Sequence, residues 1–112
     1  KTKSQDCYVY IMKDKDDNKK IGRSVNPKNR GRTLMAQDDQ IKILHTFKFP
    51  SVDIAHKIEQ NLHDEYISKQ INGEWFDLNE DDLDSVKNFL KQQEDIFGSV
   101  KTKERNLFSN QN

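Results

Sequence analysis

The chain has 112 residues, 19 basic and 19 acidic side chains and a formal net charge of zero, a length that suits one domain with a modest core. Its single cysteine, Cys7, closes no internal disulfide and supplies no cysteine-built zinc module, which excludes a stapled secreted scaffold and leads us to expect a soluble cytoplasmic or otherwise intracellular protein. No apolar run approaches the roughly 18 residues that a membrane span needs, so no membrane partner is expected.

The segment Cys7-Tyr8-Val9-Tyr10-Ile11-Met12 is rich in β-branched and aromatic residues and reads as a strand. Asp14 to Asn18 is a connection whose short side chains can bond their own backbone, and Lys20 to Val25 forms the returning strand of a hairpin. Asn26-Pro27 then opens a short helix to about Met35, because asparagine caps free amides and proline gives up one that has no partner. A third strand spans residues 41–49, with broken alternation that predicts a bulge around Leu44 and His45.

Ile54, Ile58, Leu62 and Tyr66 recur every four residues and predict a helix from Val52 to Ser68 that covers the sheet. Asn72-Gly73 is a turn, and residues 74–78 form a short strand or an extended return. Asn79 precedes three acids where a helix exposes its positive end, and Leu83, Val86, Phe89 and Leu90 give that helix an apolar face. The fold class expected is α/β (α+β), a small antiparallel three-stranded sheet flanked by helices. The domain spans residues 1–97, and 98–112 is a polar C-terminal extension with little period.

Zero net charge hides an asymmetry. Residues 1–50 hold twelve Lys/Arg against six Asp/Glu, while 51–112 hold seven against thirteen. Between residues 19 and 35 stand Lys19, Lys20, Arg23, Lys28, Arg30 and Arg32 with no acid among them. Either the halves neutralise each other in the fold, or a positive face meets a polyanion, DNA above all.

Tyr8-Val9-Tyr10, followed after a hairpin by Lys20-Ile21-Gly22, then by Asn26-Pro27 and by Arg30 eight residues past Gly22, resembles the GIY-YIG nuclease superfamily. The likeness is closer to its viral and bacterial branch with a KIG-type second motif, and it continues through Glu59, Leu62-His63 and Gly73-Glu74-Trp75-Phe76. It covers about residues 7–90 and implies a small antiparallel sheet with helices and metal-dependent cleavage of DNA.

On that resemblance Tyr10 is the hydroxyl beside the attacking water, Arg30 the arginine of the first helix and Glu59 the metal-binding carboxylate. Lys20 stands where many relatives have a second tyrosine, Tyr8 replaces a glycine of the first motif, and no asparagine completes the set. The metal implied is Mg²⁺ or Mn²⁺, which prefers oxygen ligands and retains waters.

Tyr10 needs an adjacent cation or the metal-bound water to act as a base, and Lys20 on the neighbouring strand is the candidate cation; otherwise Lys20 binds phosphate and the enzyme is weak. Arg23, Lys28, Arg32 and His45 are the further candidates for DNA phosphates, and His63 and Glu74 are accessory candidates. Against these roles stand a sheet aromatic, surface cations and a helix-edge charge. His56, Glu59 and His63 share a helical flank, but one helix rarely completes a zinc shell. Trp75 and Phe76 either stack on a base or close the edge of the core, the commoner use of such a pair.

The leading expectation is a metal-dependent DNA endonuclease or nuclease module. The alternative is a catalytically weak or inactive DNA-binding module on the same scaffold, and a third reading pairs basic and acidic surfaces between copies. Specificity is expected to need another domain, a homodimer or the C-terminal extension.

Overall fold

The computed structural model describes residues 5–109, and side chains for residues 5–98. Strand β1 (Cys7–Lys13) and strand β2 (Lys19–Ser24) form the expected antiparallel hairpin. Its turn is built as the sequence suggests. The Asp14 carboxylate accepts from the amides of Asp16 and Asn18, each at 2.9 Å, and Asp17 adopts a φ of 65°, which a short polar side chain tolerates.

Helix α1 (Pro27–Gln37) starts at Pro27, with the Asn26 side chain accepting from the Asn29 amide, and runs two residues past its expected end. Strand β3 (Lys42–Phe49) pairs antiparallel with β1. Ile11 faces His45 and Met12 faces Ile43, which makes Leu44 the extra residue of the predicted bulge.

Helix α2 (Val52–Glu65) is capped by Ser51 and buries Ala55, Ile58, Glu59 and Leu62. It stops short of Ser68, and a 3-10 turn over Ile67–Lys69 redirects the chain into strand β4 (Gln70–Asn72). Gly73 makes the turn at φ 57°, and strand β5 (Trp75–Phe76) pairs with β2. The sheet therefore has five strands in the order β3-β1-β2-β5-β4, not three, with every pairing antiparallel. The three expected strands are adjacent within it. The added pair has three and two residues, too short for an alternating pattern to show in the sequence.

Helix α3 (Glu80–Ser109) begins with a reciprocal cap, since Asn79 Oδ1 accepts from the Asp82 amide and Asp82 Oδ2 accepts from the Asn79 amide. Its backbone passes Gly98 as continuous helix, through the segment read as a polar extension, to Ser109. The last three residues of that segment lie outside the described residues. Among the described residues no helix is long and apolar enough to cross a membrane.

The sheet has two unequal faces. Cys7, Val9, Ile11, Ile21, Phe47 and Phe49 pack under α2 and α3, where Ala55, Ile58, Leu62, Leu83, Val86 and Leu90 close the main core. Burying each such aliphatic side chain is worth about 1.5–3 kcal/mol. The other face carries only Tyr10, Met12 and Ile41, with Leu34 of α1 and Trp75 against them. Polar groups gather on this thinner face.

Candidate active site

Strand pairing sets Tyr10 opposite Gly22. A β-carbon on Gly22 would stand 2.5 Å from the Tyr10 hydroxyl oxygen and 2.8 Å from Glu74 Oε1, so the missing side chain is the space the phenol fills. Tyr10 is 1% exposed. Burial pushes its pKa up, the hydrogen bond with Arg30 pulls the other way, and the Glu74 and Glu59 charges add to the rise. The phenol therefore keeps its proton at neutral pH, and the cation that opposes its burial is Arg30 and not the expected Lys20.

Lys20, next on this face of β2, is buried with its Nζ 2.9 Å from Glu74 Oε1 and 5.7 Å from the centre of the Trp75 ring. Its charge is held by Glu74 and does not stand free against the phenol. Glu74 comes from the β4–β5 turn, whose carbonyl accepts from the Ile21 amide at 3.0 Å. Trp75 is half-buried on this thinner face and Phe76 wholly buried in the main core, in line with the packing reading of that pair.

Glu59 approaches from the opposite layer. It is 3% exposed, and its Oε1 accepts from Arg23 Nε at 3.1 Å, with His56 Nδ1 at 3.9 Å. Its Oε2 is buried with no hydrogen-bond partner. Burial raises the Glu59 pKa, Glu74 adds to the rise, and His63 and Arg23 oppose it. His63 donates through Nε2 to the Ile21 carbonyl at 2.8 Å, and its ring lies 5.0 Å from that of Phe76. Glu59 and the Tyr10 group thus occupy different faces of β2 yet lie within electrostatic reach, since each of Tyr10 and Glu59 feels Glu74 and Tyr10 feels Glu59.

The structure brings Tyr10, Lys20, Arg30 and Glu74 together, and sets Arg23 and His63 with Glu59. Lys28 and Arg32 line the flank of α1 that faces β3. His45 does not join them. It lies beside Phe47 with ring centres 6.2 Å apart, and burial, aided by Lys87 of α3, lowers its pKa. Among the described residues no three His, Cys, Asp or Glu side chains gather as a metal-holding group.

The Arg23–Glu59 pair was not anticipated, because Arg23 read as a free phosphate contact. Strand alternation carried the signal: Arg23 shares a face with Ile21, and Ile21 must point into the main core.

A profile described as the T5orf172 domain matches residues 7–91. No curated protein and no solved structure matches the chain significantly.

Proposed function

From the premise that the chain belongs to the T5orf172 domain family, which is related to the GIY-YIG nuclease superfamily, we propose that it is a metal-dependent nuclease hydrolysing phosphodiester bonds of DNA. The observation that carries this reading is the buried Tyr10 hydroxyl beside Arg30 and Glu74, with the charge of Glu59 felt from the other face of β2.

A phosphodiester needs an oriented water, neutralisation of its non-bridging oxygens and stabilisation of the leaving oxygen. Arg30 is exposed on α1 and presents a planar fork to phosphate beside the phenol. Tyr10 orients the water by hydrogen bonding. Lys20 pairs with Glu74 and fixes that carboxylate beside the phenol.

Mg²⁺ or Mn²⁺ fits the residues present in one respect that bears on it directly. Glu59 offers a buried oxygen without a partner, and a Mg²⁺ ion needs only one or two carboxylates because it keeps its waters. Glu59 would hold the ion, with waters in its remaining positions. When bound, such an ion lowers the pKa of water and offsets charge on the phosphate.

Cleavage of supercoiled plasmid in Mg²⁺ or Mn²⁺ tests the reading. Arg30→Ala and Glu59→Ala are expected to abolish nicking. No nicking by the wild type in either metal would contradict it.

A second reading is a DNA-binding module with weak or no catalysis. It is favoured by Arg23 already occupying Glu59 Oε1 and by Lys20 standing where many relatives have tyrosine. A salt-sensitive gel shift with no cleavage would select it.

A further inference from the structure

On the flank of α1 away from Tyr10, a groove of about 320 Å³ runs between the helix and β3, lined by Lys28, Gly31, Arg32, Met35, Lys42 and Ile43. Gly31 makes it possible. A β-carbon there would stand 2.8 Å from Ile43 Cδ1, so helix and strand meet at close approach and the floor is apolar. Met35 and Ile43 leave 45% and 36% of their surface in solvent, although they sit side by side. The rim is purely cationic. Lys28, Arg32 and Lys42 form no ion pair with another described residue, in contrast to Lys19, Lys20 and Arg23, and no acid lines the groove.

An apolar floor ringed by three unpaired cations matches one chemistry in particular. A nucleotide released from base pairing presents an apolar ring face and is flanked by phosphates. Duplex DNA offers the phosphates alone, its ring faces being stacked away. Methionine is polarizable and makes favourable contacts with aromatic rings, and isoleucine adds apolar surface beside it. The volume lies at the small end of ligand sites, which span about 300–1,000 Å³.

We infer that this groove seats one unpaired nucleotide of a DNA strand, its base against Met35 and Ile43 and its flanking phosphates on Lys28, Arg32 and Lys42. The inference rests on the nuclease reading and deepens it, giving the substrate as DNA with a single-stranded segment next to the bond cut. Arg30 and Arg32 sit on opposite flanks of α1, so a strand whose phosphate meets Tyr10 and Arg30 would cross the helix and deliver a neighbouring nucleotide to the groove.

Binding is measured by fluorescence anisotropy, in EDTA to prevent cleavage, with a labelled single-stranded oligonucleotide and with the duplex of the same sequence. The double variant Met35→Ser/Ile43→Ser alters exposed side chains, so its melting temperature should stay near that of the wild type. It is expected to bind the single strand about tenfold more weakly, the scale of one lost base contact, and the duplex with little change. Lys28→Ala/Arg32→Ala/Lys42→Ala should weaken both. Equal effects of the serine variant on both probes, or none on the single strand, would overturn the inference while leaving plasmid cleavage, and with it the nuclease reading, intact. Wild-type protein that binds neither probe would overturn both. Wild-type dimers in sedimentation that the serine variant abolishes would assign the groove to a second copy, again overturning the inference.

Discussion

Glu59 is a carboxylate whose environment disfavours its charge, with burial as the largest cause and Glu74 next, against the pull of His63 and Arg23. Its folded pKa lies above the unfolded value, so the native state binds more protons than the unfolded state between the two. Stability through this group is therefore greatest below the ordinary carboxylate range and declines as pH rises through the raised value. Glu59→Gln, which keeps an acceptor for Arg23 without the buried charge, is expected to melt higher than wild type at pH 8 and about equally at pH 4. A lower melting temperature at pH 8 would contradict this.

Gly22→Ala is the complementary probe at the residue scale. The new methyl meets the Tyr10 hydroxyl at 2.5 Å, and a phenol 1% exposed has little room to retreat. A loss of about 1–3 kcal/mol in urea unfolding is expected, with a larger relative loss of plasmid nicking than of stability. Motif order singled out Tyr10 and Arg30, which the structure sets side by side, and the long helix singled out Glu59, which it buries. The roles of their neighbours were not legible in the sequence, because Lys20 meets Glu74 and Arg23 meets Glu59 only after distant segments pair.

At the level of elements, the sequence showed those whose period repeats at least twice. The stripe through Ile58 and Leu62 marked α2, the aromatic and β-branched run marked β1, and Asn26-Pro27 fixed the start of α1. Leu62→Ala, at the centre of the main core, should cost about 2–5 kcal/mol by urea unfolding. Residues 74–78 read as a short strand or extended return and contain β5, but β4 and the joining of the pair to the sheet escaped notice, because three residues carry no period and the pairing depends on β2 offering an edge. That hairpin matters to the site, since it delivers Glu74 to Lys20 and Trp75 over the same lysine. Gly73 holds its turn at φ 57° in open space, so Gly73→Val should lower stability by about 1–2 kcal/mol through backbone strain alone, while Gly73→Asn costs less.

Over the whole molecule the charge asymmetry is neutralised in part. Basic and acidic halves neutralise each other at Lys20–Glu74 and Arg23–Glu59, on the two faces of β2. Among the cations left without an ion pair, Lys28, Arg32 and Lys42 gather on α1 and the start of β3. DNA affinity should therefore fall with salt, and each phosphate contact removed by Lys28→Ala or Arg32→Ala should flatten the log–log slope by about 0.9. An unchanged slope would place the DNA elsewhere.

On the proposed function, the groups around β2 hydrolyse a phosphodiester with a divalent ion held by Glu59. Nicking of supercoiled plasmid in Mg²⁺ by wild type and Glu59→Gln, side by side at pH 8, tests it most directly. The expected result is nicking by the wild type and none by the glutamine variant, although that variant is the more stable protein. Equal nicking by both, or none by either in Mg²⁺ or Mn²⁺, would contradict it.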